Sequence, residues 1–176
     1  GHCVFLHPDE MITGGNLYED HFYRYNVITS DEYKNQNPIL TMKEAGRQVG
    51  NQNEAGGIIL GQVYENNRVC LTEVSEPNEF DKSSRFSFVR DKRMAQLIVN
   101  EAFHKSGGKL IYLGEWHTHP EQYPRPSEID KRMIKRQFEK NRINESFLIV
   151  LIQGTEDIYA AIYNGKKLIE RPGLLR

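Results

Sequence analysis

Lys109-Leu110-Ile111-Tyr112-Leu113-Gly114-Glu115-Trp116-His117-Thr118-His119-Pro120 is an apolar run ending in two histidines and a proline, with Ser127 and Asp130 downstream. Its first half, Lys109 to Gly114, reads as a short buried strand that delivers the histidines. Side chains two apart on a strand share a face. His117 and His119 can therefore aim both imidazoles at one point about 2 Å away, the usual zinc–nitrogen distance. Pro120 has no N–H and ends the ladder. Ser127 and Asp130 are three apart at a helix start, on one face of its first turn. Two imidazoles, a carboxylate and an open position for water suit a catalytic zinc better than a structural one. Ser127-Glu128-Ile129-Asp130 also fits a helix capping box that needs no metal, and the two roles are compatible.

Working outward, Ser127 to Arg142 has helical spacing, and Phe147–Ile152 and Ile158–Tyr163 read as closing strands. Upstream, Asp91 begins a helix with Met94, Leu97, Ile98 and Ala102 on its apolar face, stopped by Gly107-Gly108. Phe86 to Val89 reads as a short strand after a polar loop from Ser75 to Ser84. Ile58 to Tyr64 and Val69 to Val74 read as a hairpin turning at Glu65-Asn66-Asn67-Arg68. A helix is expected from Asn37-Pro38 to Val49, and a first strand from Phe22 to Thr29. Residues 1–21 are expected to be an irregular N-terminal extension, and 22–176 a single α/β domain with mixed strand order.

The chain has 176 residues, enough for one domain with a real core and too few for two. With 38% apolar and 27% charged residues it has the composition of a soluble globular protein. A net charge of −1 gives no reason to expect nucleic acid or an anionic membrane as partner. No apolar stretch approaches the roughly 20 residues of a membrane span, and no signal peptide is apparent, so a cytoplasmic location is expected. Cys3 and Cys70, the only cysteines, are expected to be free thiols. Lys131, Arg132, Lys135, Arg136, Lys140 and Arg142 make one helix basic, which reads first as a solvated face.

Several zinc hydrolase patterns are excluded. HExxH is absent. The deaminase pattern needs a PCxxC pair that the chain lacks. A (β/α)₈ amidohydrolase needs a longer chain and more histidines than follow His119. What remains is His117-Thr118-His119, ten residues beginning with Pro120 and then Asp130, with Ser127 three before the aspartate, and Glu54 heading Glu54-Ala55-Gly56-Gly57-Ile58-Ile59-Leu60-Gly61. This combination resembles the JAMM (JAB/MPN+) metalloprotease motif over roughly Phe22 to the C-terminus.

The resemblance implies the JAMM fold, a cytidine-deaminase-like curved mixed sheet flanked by helices. It implies one zinc ion on His117, His119 and Asp130, Glu54 as the general base and then acid, and Ser127 as the oxyanion donor. Glu44, Glu65 and Glu73 stand near Glu54 as alternatives, and Glu115 is expected on the opposite face of the strand in a structural role. The wording around HTHP is similar to the short bacterial branch of antiphage defence operons. That branch implies an isopeptidase cutting after the C-terminus of a ubiquitin-like modifier or a conjugated nucleotidyltransferase, with operon-encoded conjugation enzymes as partners. Sulfur-carrier or other precursor processing, or a non-catalytic zinc-containing binding module, are the alternatives.

Overall fold

The computed structural model describes residues 3–6, 27–28, 38–49, 53–64, 69–140 and 147–170. Among the described residues the elements run β1 (Cys3–Leu6), β2 (Val27–Ile28), α1 (Pro38–Val49), β3 (Gly56–Val63), β4 (Val69–Val74), β5 (Lys82–Ser83), β6 (Phe88–Val89), α2 (Lys92–Lys105), β7 (Ile111–Thr118), α3 (Glu128–Lys140), β8 (Leu148–Gln153), β9 (Ile158–Tyr163) and β10 (Leu168–Glu170). Eight strands form one sheet in the order β10-β9-β8-β7-β3-β4-β1-β2, and β5 pairs with β6 in a separate hairpin. Within the large sheet, β7 and β8 are parallel and the other pairs antiparallel. The long return needed between parallel strands is the segment that contains α3.

The centre of the sheet is covered on both faces. Every residue of β8 is buried, as expected of a strand enclosed by two layers. Ile149, Leu151, Ile59, Leu113 and Trp116 pack with Met42 of α1 on one face. Leu148, Val150, Ile152, Ile58, Leu60 and Tyr112 pack with Ala95 of α2 and Ile134 of α3 on the other. The expected mixed α/β sheet flanked by helices is therefore observed.

Strand β7 changes phase part-way along. Against β3, Ile59 pairs with Gly114 but Leu60 pairs with Tyr112, leaving Leu113 as an extra residue in a β-bulge. Tyr112 and Trp116, which strict alternation would put on one face, consequently lie in opposite layers. Beyond the bulge, Trp116 faces α1, while Glu115 and His117 pair with Ile58 and Gly56 and face α2 and α3. The expectation that Glu115 lies opposite the histidines is corrected here: residues 115, 117 and 119 share a face by alternation.

The helix ends follow local chemistry. Asp91 caps α2 by accepting the Met94 N–H at 2.9 Å, and Gly107 and Gly108 at φ 66° and 85° turn the chain out of it. Asp130 and Glu128 lie in the first turn of α3, where carboxylates favour the helix dipole.

Three other expectations need amending. Residues 3–6, read as part of an irregular extension, form a strand beside β4, consistent with the apolar run Cys-Val-Phe-Leu. Cys70 is disulfide-bonded, not free; the strand that the sequence reading placed beside it, Ile58 to Tyr64, carries no cysteine. Strand β7 continues through His117 instead of stopping at Gly114. The remainder of the extension, residues 22–26 of the expected first strand, and the turn at 65–68 lie outside the described residues.

Candidate metal centre

Three elements converge at the C-terminal end of β7. His117 is in the strand and His119 just beyond it, held there by His119 N–H to Gln153 O at 3.0 Å and Thr118 N–H to Ala55 O at 2.9 Å. The Thr118 hydroxyl accepts the Ala55 N–H at 2.9 Å, which fixes the residue following Glu54. Glu54 is further pinned through its backbone: its N–H donates to Ser84 O at 2.8 Å, and the Ser83 hydroxyl donates to its carbonyl. Asp130 arrives on the first turn of α3.

The four side chains are nearly inaccessible, at 3–5% exposure for Glu54, His117, His119 and Asp130. His117 Nε2 and His119 Nε2 are 3.1 Å apart, and Asp130 Oδ2 is 3.2 Å and 2.9 Å from them. Two ligand atoms about 2.0–2.1 Å from one tetrahedral cation would be separated by about 3.3 Å. The three edges match that spacing closely, and no other group of His, Cys, Asp or Glu among the described residues forms such a cluster. The residues present fit a divalent metal ion with nitrogen and oxygen ligands.

Glu54 Oε1 is 4.0 Å from His119 Nε2, beside the cluster and outside it. Its Oε2 and His119 Nδ1 are buried without a hydrogen-bond partner among the described residues. Burial raises the Glu54 carboxyl from 4.5 to about 7, against the pull of His119 and with a further push from Asp130 and Glu121. Burial also disfavours charge on Asp130, but hydrogen bonds from His117 and His119 and from the Ser127 backbone hold it well below the usual carboxylate range. For His119, burial lowers the imidazole, yet the Asp130 hydrogen bond and the neighbouring carboxylates leave it above its ordinary value.

Ser127 and Asp130 form the reciprocal capping box: Ser127 N–H donates to Asp130 Oδ2 at 2.8 Å, and Asp130 N–H donates to Ser127 Oγ at 3.1 Å. The same Asp130 oxygen touches both histidines, so the cap aims the candidate ligand atom and the two readings of this segment coincide in one geometry. Of the alternatives to Glu54, Glu44 on α1 is exposed and Glu73 on β4 is only half-buried, while Glu65 lies outside the described residues. Trp116 is buried, with its indole N–H on Ser75 O at 3.0 Å.

One group escaped the sequence reading. Arg90, directly after β6, donates from Nε to Glu115 Oε1 at 2.7 Å and from Nη2 to Gln137 Oε1 at 2.7 Å. The Tyr112 hydroxyl donates to the same Glu115 oxygen at 2.6 Å. The available signal was parity, since Glu115 shares the histidine face.

A family model described as prokaryotic homologs of the JAB domain matches residues 41–163. A protein of Escherichia coli (strain TW11681) named CD-NTase/cGAS isopeptidase is 37% identical over 115 residues, 65% of this chain and 68% of that protein. One of the same name from Vibrio cholerae serotype O1 (strain ATCC 39315 / El Tor Inaba N16961) is 35% identical over 106 residues, 60% of this chain and 65% of that protein. The solution structure of protein DSY2949 from Desulfitobacterium hafniense superposes with a TM-score of 0.55 at 25% identity, covering 78% of this chain and 86% of that one.

Proposed function

The chain belongs to the family of prokaryotic homologs of the JAB domain, and on that premise we propose that it is a zinc-dependent isopeptidase that reverses protein conjugation in a bacterial antiviral defence system. The bond cut is the amide joining the C-terminus of a conjugated protein, a nucleotidyltransferase or a ubiquitin-like modifier, to its target. The names of the relatives favour the nucleotidyltransferase. The observation that carries the reading is the placement of Glu54. It sits 4.0 Å from His119, at the margin of a three-ligand cluster, with one carboxylate oxygen unpartnered among the described residues.

His117, His119 and Asp130 would hold the zinc. When bound, the ion supplies a Lewis acid for the scissile carbonyl and lowers the pKa of water toward about 7. Glu54 Oε2 accepts a proton from the water whose oxygen attacks the carbonyl carbon. The same carboxyl then delivers that proton to the amine as the C–N bond breaks. Burial favours the protonated carboxyl that delivers the proton, and the charge of a bound cation would favour the carboxylate that accepts it. Ser127 Oγ already accepts the Asp130 N–H, so its own proton is left to donate to the oxygen of the tetrahedral intermediate.

The test is a fusion in which the C-terminal tail of the conjugated partner is joined by an amide to a reporter. Wild type should release the reporter, stop on chelation and recover when zinc returns. Absence of cleavage by protein that holds one zinc per chain sinks the isopeptidase reading while leaving the metal site in place.

A further inference from the structure

Asp130 and Gln137 are seven residues apart on α3, two helical turns, so both present to the same side. On β7, Glu115 and His117 are two apart and share a face. Besides the apolar packing of Ile134, the helix is therefore held against the strand at two polar points: at one end Asp130 meets His117 and His119, and at the other Arg90 joins Glu115 to Gln137. Arg90 also anchors a third element. It follows Val89, whose strand partner is Lys82, and the next hairpin pair, Ser83–Phe88, leads to the Ser83 and Ser84 contacts that grip the Glu54 backbone. One guanidinium thus ties together the strand carrying the histidines, the helix carrying the aspartate and the hairpin that seats the glutamate.

The tie is desolvated, with 11% of the Arg90 side chain and 14% of the Glu115 side chain exposed. A planar fork with several donors can serve two acceptors in fixed directions at once, which an ammonium cannot do as well. The base of the hairpin is closed independently: Asp81 accepts the Asp91 N–H at 2.7 Å and the Asn78 N–H at 2.8 Å. Arg90 is therefore not needed to form the hairpin, only to fasten it to β7 and α3.

We propose that Arg90 is a positioning residue for the metal site, setting the spacing of Asp130 against the two histidines by clamping α3 to β7 through Glu115 and Gln137. This rests on the reading of the cluster as a zinc site. Groups behind a metal ligand typically change metal affinity or activity by about 10- to 100-fold when removed. Arg90 acts at one further remove, and about tenfold is expected.

The experiment compares wild type, Arg90→Met, and Arg90→Met with Glu115→Gln. The single variant strands a buried carboxylate and loses stability for that reason alone. The double variant removes the stranded charge and keeps an acceptor for Tyr112, so the fold is recovered without the clamp. Zinc affinity is read by chelator competition, ligand geometry by the visible spectrum of the cobalt-substituted protein, and catalysis by kcat and KM separately. The double variant should bind zinc about tenfold more weakly, show an altered cobalt spectrum, and lose kcat with KM within about twofold. A folded double variant with wild-type zinc affinity and cobalt spectrum overturns the proposal. Wild-type protein that takes up no zinc overturns it as well, together with the site reading beneath it.

Discussion

Replacing Glu54 by glutamine should move stability and activity in opposite directions. In the metal-free protein the buried carboxyl is raised from 4.5 to about 7. The folded state therefore resists ionisation that the unfolded chain accepts freely. Below pH 4.5 both states hold the proton and there is no penalty. Between pH 4.5 and about 7 the unfolded state releases the proton first, and stability is lost as pH rises. Above pH 7 the full cost applies; at 1.36 kcal/mol per tenfold change in proton affinity it comes to roughly 3 kcal/mol. Glutamine has the shape of the protonated acid and no charge to bury. Part of its gain is offset because its amide meets a site where Glu54 Oε2 has no described partner.

Urea denaturation of chelated wild type and Glu54→Gln at pH 8 and at pH 4.5 gives the comparison. Other titrating groups largely cancel in the difference. The variant should be more stable by roughly 2–3 kcal/mol at pH 8, and the gap should close toward pH 4.5. Zinc-loaded Glu54→Gln should cleave the fusion about 10²- to 10⁴-fold more slowly. A variant less stable than wild type at pH 8 would mean that Glu54 is structural, and the argument from its burial would fail. Cleavage within tenfold of wild type would remove it as the proton carrier.

Ser127→Ala should lose about 1 kcal/mol of stability with its cap and about 2.7–4 kcal/mol of transition-state stabilisation. Ser127→Asp should keep the cap and not the activity, so urea midpoints and kcat/KM measured on both variants separate the two roles. Gly114→Ala should destabilise by roughly 3 kcal/mol, because a Cβ there would meet Ile149 O at 1.9 Å across the parallel β7–β8 pair. Gly107→Ala, at φ 66° with nothing within 4 Å, should cost only the backbone strain of about 1–2 kcal/mol. Equal urea midpoints for these two alanine variants would contradict the packing described for β7.

Local chemistry was legible in the sequence. Strands β4 and β9 begin and end where their apolar runs do, and Asp91 and Gly107-Gly108 bound α2 as caps should. The three candidate ligand residues were legible because His117 lies near the end of a strand, His119 follows it two residues on, and Asp130 sits in the first turn of a helix. Features that depend on distant neighbours were less visible. Residues 3–6 carry too short a pattern to announce a strand, and β10 is equally brief. The bulge at Leu113 leaves no periodic trace, since one inserted residue merely looks like two runs of alternation out of step. Gly114 was its one local marker, a strand glycine pressed against another backbone. Arg90 reads as surface charge next to a helix cap, and only the packing of α3 reveals that it is enclosed.

That bulge also sets what the chain can tolerate. Because Leu113 inverts the odd–even order of β7, the route from there to His119 works by counting. Remove one residue between Gly114 and His117 and the ladder with β3 can still close, but one step out, with His117 opposite Gly57 and both imidazoles turned toward Met42 and the layer beneath α1. The segment from Pro120 to Ser127 has no such arithmetic, and lengthening it need only return Asp130 to the same place. Relatives of this chain should therefore hardly vary in length between the bulge and the histidines.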